Sequence, residues 1–80
     1  MTPTTFLYQA VANQAATDLR KVLPSSRLGD DLGLDSLDLL ELVMALEKEF
    51  KITIDETALP PIETMAQANT VLLGLLQSAK

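Results

Sequence analysis

The chain has 80 residues and a formal net charge of −5, with no cysteine and no histidine, which sets one small acidic domain over residues 1–80. That inventory excludes disulfides, any thiolate supplied by the chain, and the commonest general base and metal ligand. A hydrophobic fraction of 48% with two Phe, one Tyr and no Trp suits packed helices better than a β-sandwich, and a domain this small buries only about 60% of its unfolded surface.

The charge is uneven. Residues 28–49 carry seven acids (Asp30, Asp31, Asp35, Asp38, Glu41, Glu47 and Glu49) against one base, Lys48, a net of −6, while the remainder has four acids and five bases, a net of +1. Nucleic acid is thereby excluded as a partner, since neutralising phosphates requires clustered Lys and Arg; a basic protein surface is expected instead. No apolar run approaches membrane-spanning length. The N-terminus has no basic region before its apolar stretch, so no signal peptide is expected, and a cytoplasmic site fits.

In chain order, Leu7, Val11, Ala15, Leu19 and Val22 recur at three- and four-residue steps and predict a first helix over 5–23. Pro24, Ser25, Ser26 and Gly29 read as a loop, with Gly33 just ahead of the next periodic segment. Asp35 or Ser36 can cap a second helix over 36–50, whose residues Leu39, Leu42, Val43, Leu46 and Phe50 share one stripe at about 100° per residue. Ile52 to Ile54 reads as an extended linker, because a strand that short has no pairing partner here. Asp55 can cap a short third helix over 56–59, stopped by Pro60-Pro61. Thr64 and Gln67 match a capping box for a fourth helix over 65–78, continued by Met65, Ala68, Leu72, Leu75 and Ala79. The fold expected is all-α, four helices with three longer and one short.

On the second helix a further apolar stripe, Leu37, Leu40 and Met44, lies roughly opposite the core stripe and is interleaved with Glu41, Glu47 and Lys48. Exposed apolar residues rimmed by acids suit docking; cover by the first or third helix is the alternative. Ser36 cannot join a Ser-His-Asp triad without a histidine. The acids from Asp30 to Glu41 lack the EF-hand spacing, so no metal site is expected.

The stretch Asp30-Asp31-Leu32-Gly33-Leu34-Asp35-Ser36-Leu37-Asp38, continuing through Glu41-Leu42-Val43-Met44-Ala45-Leu46-Glu47 to Phe50, resembles acyl carrier proteins of bacterial type II fatty acid and polyketide synthesis. The resemblance implies an acyl-carrier-like four-helix bundle in which Ser36 receives 4′-phosphopantetheine from coenzyme A through a separate transferase. It implies that Asp35 helps hold the transferase's Mg²⁺, and that acyl intermediates travel as thioesters on the arm. It also implies a monomer whose partners are a phosphopantetheinyl transferase and ketoacyl synthases, reductases, dehydratases and acyltransferases with basic patches. Leu37, Asp38, Leu40, Glu41, Met44 and Glu47 would form the docking face, and Leu42, Val43, Leu46, Ile54, Leu59 and Ile62 would line an acyl cavity.

Physical chemistry supports the attachment, because a phosphate at a helix start faces unpaired N–H groups and the positive end of the dipole. Asp35 and Asp38 oppose it by repulsion. The plain alternative for Ser36 is a helix cap, and for the acids a solvated face. Pro60-Pro61, Lys48 and a short connection from Leu19 to Ser36 depart from the family pattern and favour a pathway-dedicated carrier, for polyketides or specialised lipids. A peptidyl or aminoacyl carrier and an unmodified acidic helical adaptor are the rival readings.

Overall fold

The computed structural model describes residues 2–78 and is all-helical: α1 (Pro3–Gln14), α2 (Ser36–Phe50) and α3 (Met65–Ser78), with 3-10 turns at Leu19–Lys21 and Glu56–Ala58. Ala79, expected on the last helix, lies outside the described residues. Helix α1 begins at Pro3, whose missing N–H costs nothing at a helix start, and Thr2 caps it by accepting a hydrogen bond from Thr5 N–H at 3.1 Å.

The first helix does not run to Leu23. It stops at Gln14, where Ala16 takes a left-handed conformation with φ 54°. Ala16 N–H then donates to Asn13 O at 3.2 Å and Thr17 N–H to Ala12 O at 3.0 Å, the pair of bonds that satisfies the last carbonyls of a helix. Asp18 next accepts from Arg20 N–H at 2.9 Å and starts the 3-10 turn. The apolar period carried across this break because it reports burial, not backbone continuity. Val22 still reaches the core, but Leu19, expected on the buried face, is 39% exposed. Alanine at a left-handed position is strained where glycine is not, so Ala16→Gly is expected to raise the unfolding free energy by about 0.5–1 kcal/mol. A urea midpoint at or below that of the parent chain would contradict the assignment of this stop.

The segment 22–34 is more than connective loop. Val22, Leu28 and Leu34 are buried, and so is Ser26, whose Oγ accepts from Leu23 N–H at 2.9 Å. Among the described residues a single antiparallel bridge joins Arg27 to Thr64, where Leu28 N–H donates to Glu63 O at 2.8 Å. Met65 N–H donates to Ser26 O and Ala66 N–H to Pro24 O, so the loop satisfies two of the unpaired donors at the start of α3. Thr64 and Gln67 supply the rest as a capping box, with Thr64 N–H donating to Gln67 Oε1 at 3.1 Å and Gln67 N–H to Thr64 Oγ1 at 3.3 Å.

Helix α2 buries Leu42 and Leu46 and packs Leu39, Val43 and Phe50 at the edge of the core. Phe50 meets Phe6 of α1 edge to face, with ring centroids 5.4 Å apart. Lys51 ends the helix in a left-handed conformation, and residues 52–55 form no regular element, with Ile54 buried. The short third helix is a single 3-10 turn, Glu56–Ala58, begun by Asp55 accepting from Thr57 N–H at 3.0 Å. Leu7, Val11 and Met65 are the largest of the fully buried side chains among the described residues.

Candidate functional site

Ser36 is the first residue of α2 and is exposed. The cap belongs to Asp35: its Oδ1 accepts from Asp38 N–H at 2.9 Å, while Asp38 Oδ2 accepts from Asp35 N–H at 3.1 Å. This reciprocal box relieves the Ser36 hydroxyl of any capping task and leaves first-turn N–H groups directed at whatever ester it carries. A phosphate there also meets the positive end of the helix dipole. The repulsion expected from Asp35 and Asp38 is blunted, since both carboxylates accept backbone hydrogen bonds and Asp38 Oδ1 accepts from Gln14 Nε2 at 2.9 Å. These features fit a phosphodiester on Ser36.

The Gln14 hydrogen bond, followed by the bond from Asp35 N–H, holds the Asp38 carboxyl below the ordinary carboxylate value. Asp18 is lowered likewise, chiefly by the Arg20 side chain, and Asp55 chiefly by the Thr57 hydroxyl. A carboxyl whose pKa is depressed by folding stabilises the fold above its unfolded value, near 3.9, and loses that contribution as pH falls through the folded value. The urea midpoint is therefore expected to fall below about pH 4, and to fall less in an Asp38→Asn variant. Equal losses in the two proteins would remove Asp38 from this account.

Behind Ser36 lies an apolar cavity of about 290 Å³ between α2, α3 and the segment 54–62. Its lining includes Leu42, Val43, Leu46, Ile54, Leu59 and Ile62. Ser36 and Leu40, both exposed, stand at its open edge. Leu7, Leu28, Val71, Leu72 and Leu75 also line it. Helical spacing marked most of these as core, but it carries no signal that separates a cavity wall from a packed core, and Leu28 sits in a loop with no periodicity at all.

The outer stripe of α2 is open. Leu37 is 62% exposed, Met44 56% and Leu40 41%, with Glu41 exposed beside them. Asp38 and Glu47 are only partly exposed and hold structural bonds; Glu47 Oε2 accepts from Ile54 N–H at 2.8 Å and ties the linker to α2. Among the described residues no helix is long and apolar enough to cross a membrane.

Residues 5–71 match the family model described as phosphopantetheine attachment site. The chain is 44% identical over 55 residues to an acyl carrier protein of Phytoplasma australiense, covering 69% of this chain and 72% of that protein. It is 37% identical over 62 residues to an acyl carrier protein of Chlorobium phaeobacteroides, covering 78% and 80%. An exposed serine at a helix start, an apolar cavity opening beside it and these likenesses agree, and the chain belongs to the acyl carrier protein family, whose members are carriers rather than enzymes and bear covalent 4′-phosphopantetheine.

Proposed function

We propose that Ser36 is the residue bearing the arm and that the chain carries acyl intermediates of fatty acid synthesis, or of related polyketide or specialised lipid synthesis, as thioesters. The observation that carries this reading is the position of Ser36, exposed at the first turn of α2 yet lining the open edge of the apolar cavity. In the transfer, the Ser36 oxygen bonds to the phosphorus of coenzyme A that bears pantetheine. The bond from that phosphorus to the adenosine half breaks, adenosine bisphosphate leaves, and the serine proton passes to a base on the transferase. Once attached, the arm supplies a terminal thiol that this cysteine-free chain lacks. Asp35, beside Ser36 with one carboxylate oxygen taken by Asp38 N–H, would offer its other oxygen to the transferase's Mg²⁺.

A cavity of this size lined almost wholly by aliphatic side chains favours acyl cargo over aminoacyl or peptidyl cargo, whose polar groups would be buried unpaired. The work of the chain belongs in the cytoplasm, where coenzyme A and its transferase meet it, and it acts there as a monomer. The phosphopantetheinyl transferase and the ketoacyl synthases, reductases, dehydratases and acyltransferases of the pathway would dock basic patches on Leu37, Leu40, Glu41 and Met44, with Asp38 and Glu47 adding field rather than direct contacts. Such electrostatic steering gives rapid, reversible association. Glu41→Lys is expected to weaken transferase or synthase binding several-fold at low salt, with the difference shrinking as salt rises. An affinity unchanged at low salt would take Glu41 out of the interface.

The test of the carrier reading is direct. The chain is incubated with coenzyme A, Mg²⁺ and a broad-specificity transferase, and the intact protein is weighed. A gain of one phosphopantetheine is expected; no gain would end the proposal.

A further inference from the structure

The cavity behind Ser36 does not end in packed core on every side. An open groove of about 340 Å³ lies on the outer flank of α3 against the diproline, lined by Pro60, Pro61, Ala66, Gln67, Thr70 and Val71. Val71, half-buried, borders both spaces. We propose that Val71 is the length gate of the acyl cavity and that the diproline groove beyond it is a second subsite for the far end of a long acyl chain. The proposal rests on the carrier reading of Ser36 and concerns where its cargo ends.

The sizes decide how much chain each space takes. An apolar cavity of about 150 Å³ accepts benzene, so the main cavity at 290 Å³ holds an acyl chain on the order of ten carbons. A longer chain must move a wall, pass Val71 or return to solvent. The wall opposite α3 is poorly placed to move. It runs from Leu59 to Ile62, which both line the cavity, through Pro60 and Pro61, whose rings fix φ. It is tied down on one side by the Asp55 turn and the bond from Ile54 N–H to Glu47, and on the other by the bond from Leu28 N–H to Glu63 O. Val71 is the softer obstacle, a small side chain on the edge of one helix.

The groove suits the occupant. Its walls are two proline rings, the Ala66 methyl and one face of Val71, with Gln67 and Thr70 at the polar rim. Further along this flank of α3, three residues past Val71, stands Gly74, where an added Cβ would meet nothing within 4 Å. Open space therefore lies beside this flank of α3.

The test loads wild-type, Val71→Ala and Val71→Phe chains with saturated acyl-phosphopantetheine groups, lengthened in two-carbon steps, from the matching acyl-coenzyme A and the transferase. Intact mass confirms loading, and the thermal midpoint reads how much of each chain is sheltered, because sheltered cargo stabilises only the folded state. In the wild-type chain the midpoint should rise with each step and break off near the capacity of the main cavity. Val71→Ala lowers the starting midpoint but moves the break to longer chains. Val71→Phe moves it to shorter ones, and adding Thr70→Arg to Val71→Ala brings the break back by filling the groove. The same break length in all loaded variants overturns the gate. Extension by Val71→Ala that Thr70→Arg leaves untouched overturns the groove as the second subsite. Failure of every variant to gain acyl-phosphopantetheine mass overturns attachment at Ser36 and, with it, the gate.

Discussion

Ser36→Ala is expected to abolish the gain of phosphopantetheine mass completely while leaving the unfolding curve within about 0.5 kcal/mol of the parent. Both halves follow from one geometric fact: the cap of α2 is Asp35, bonded reciprocally to Asp38, so the Ser36 hydroxyl holds no structural bond of that box. The neighbouring carboxylate separates the roles further. Asparagine caps about as well as aspartate, so Asp35→Asn should keep the stability and lose much of the modification rate if the charge meets Mg²⁺ on the transferase. Asp35→Ala should also lose about 1 kcal/mol of stability with the cap. Modification of Ser36→Ala at the wild-type rate would refute the site, and a large destabilisation by the same change would refute the assignment of the cap.

Met65→Ala is expected to have the largest effect on stability. Met65 is fully buried and does not line the apolar cavity, so truncating it opens a new void in packed core. Such changes cost about 2–5 kcal/mol, against a total of roughly 4–12 kcal/mol for a chain of this length. The residue also opens α3 beside the clamp in which its N–H donates to Ser26 O, so loosening there reaches the loop that carries Leu28 and Leu34. Urea titration at neutral pH should show a large part of the chain's stability gone, whereas Leu37→Ala, on the open face of α2, should stay within about 0.5 kcal/mol of the parent. A loss below about 1 kcal/mol for Met65→Ala would mean that the enclosed position of its side chain is wrong.

Two of these residues show how the chemistry and the packing are divided along the chain. Ser36 is exposed and holds no bond of the α2 cap, whereas Met65 is enclosed in the core. The surface of α2 can therefore serve many partners without disturbing the core, because Leu42 and Leu46 face inward one helical flank away from Leu37, Leu40 and Met44.

From the sequence alone came the all-helical class, the second helix over 36–50, the capping box of Thr64 and Gln67, and the family. These rest on local rules, helical period and side-chain oxygens at helix starts, together with one distinctive segment that resembles a known family. Tertiary structure decided what local rules leave open. The stop at Ala16 has no glycine or proline to announce it, and the apolar period beyond it belongs to a 3-10 turn and a loop whose Val22 and Leu28 reach the core by other paths. That Asp35 rather than Ser36 caps α2 depended on Asp38 closing the box and on Gln14, 24 residues earlier, holding its other oxygen. Glu47 reads as a surface acid, yet its carboxylate is spent on Ile54 N–H. The volume of the cavity, and the place of Val71 on the border of both it and the diproline groove, are set by how α3 lies against the segment 59–62. Periodicity identifies which side chains turn inward; only the packing of one element on another determines whether they meet or leave a space between them.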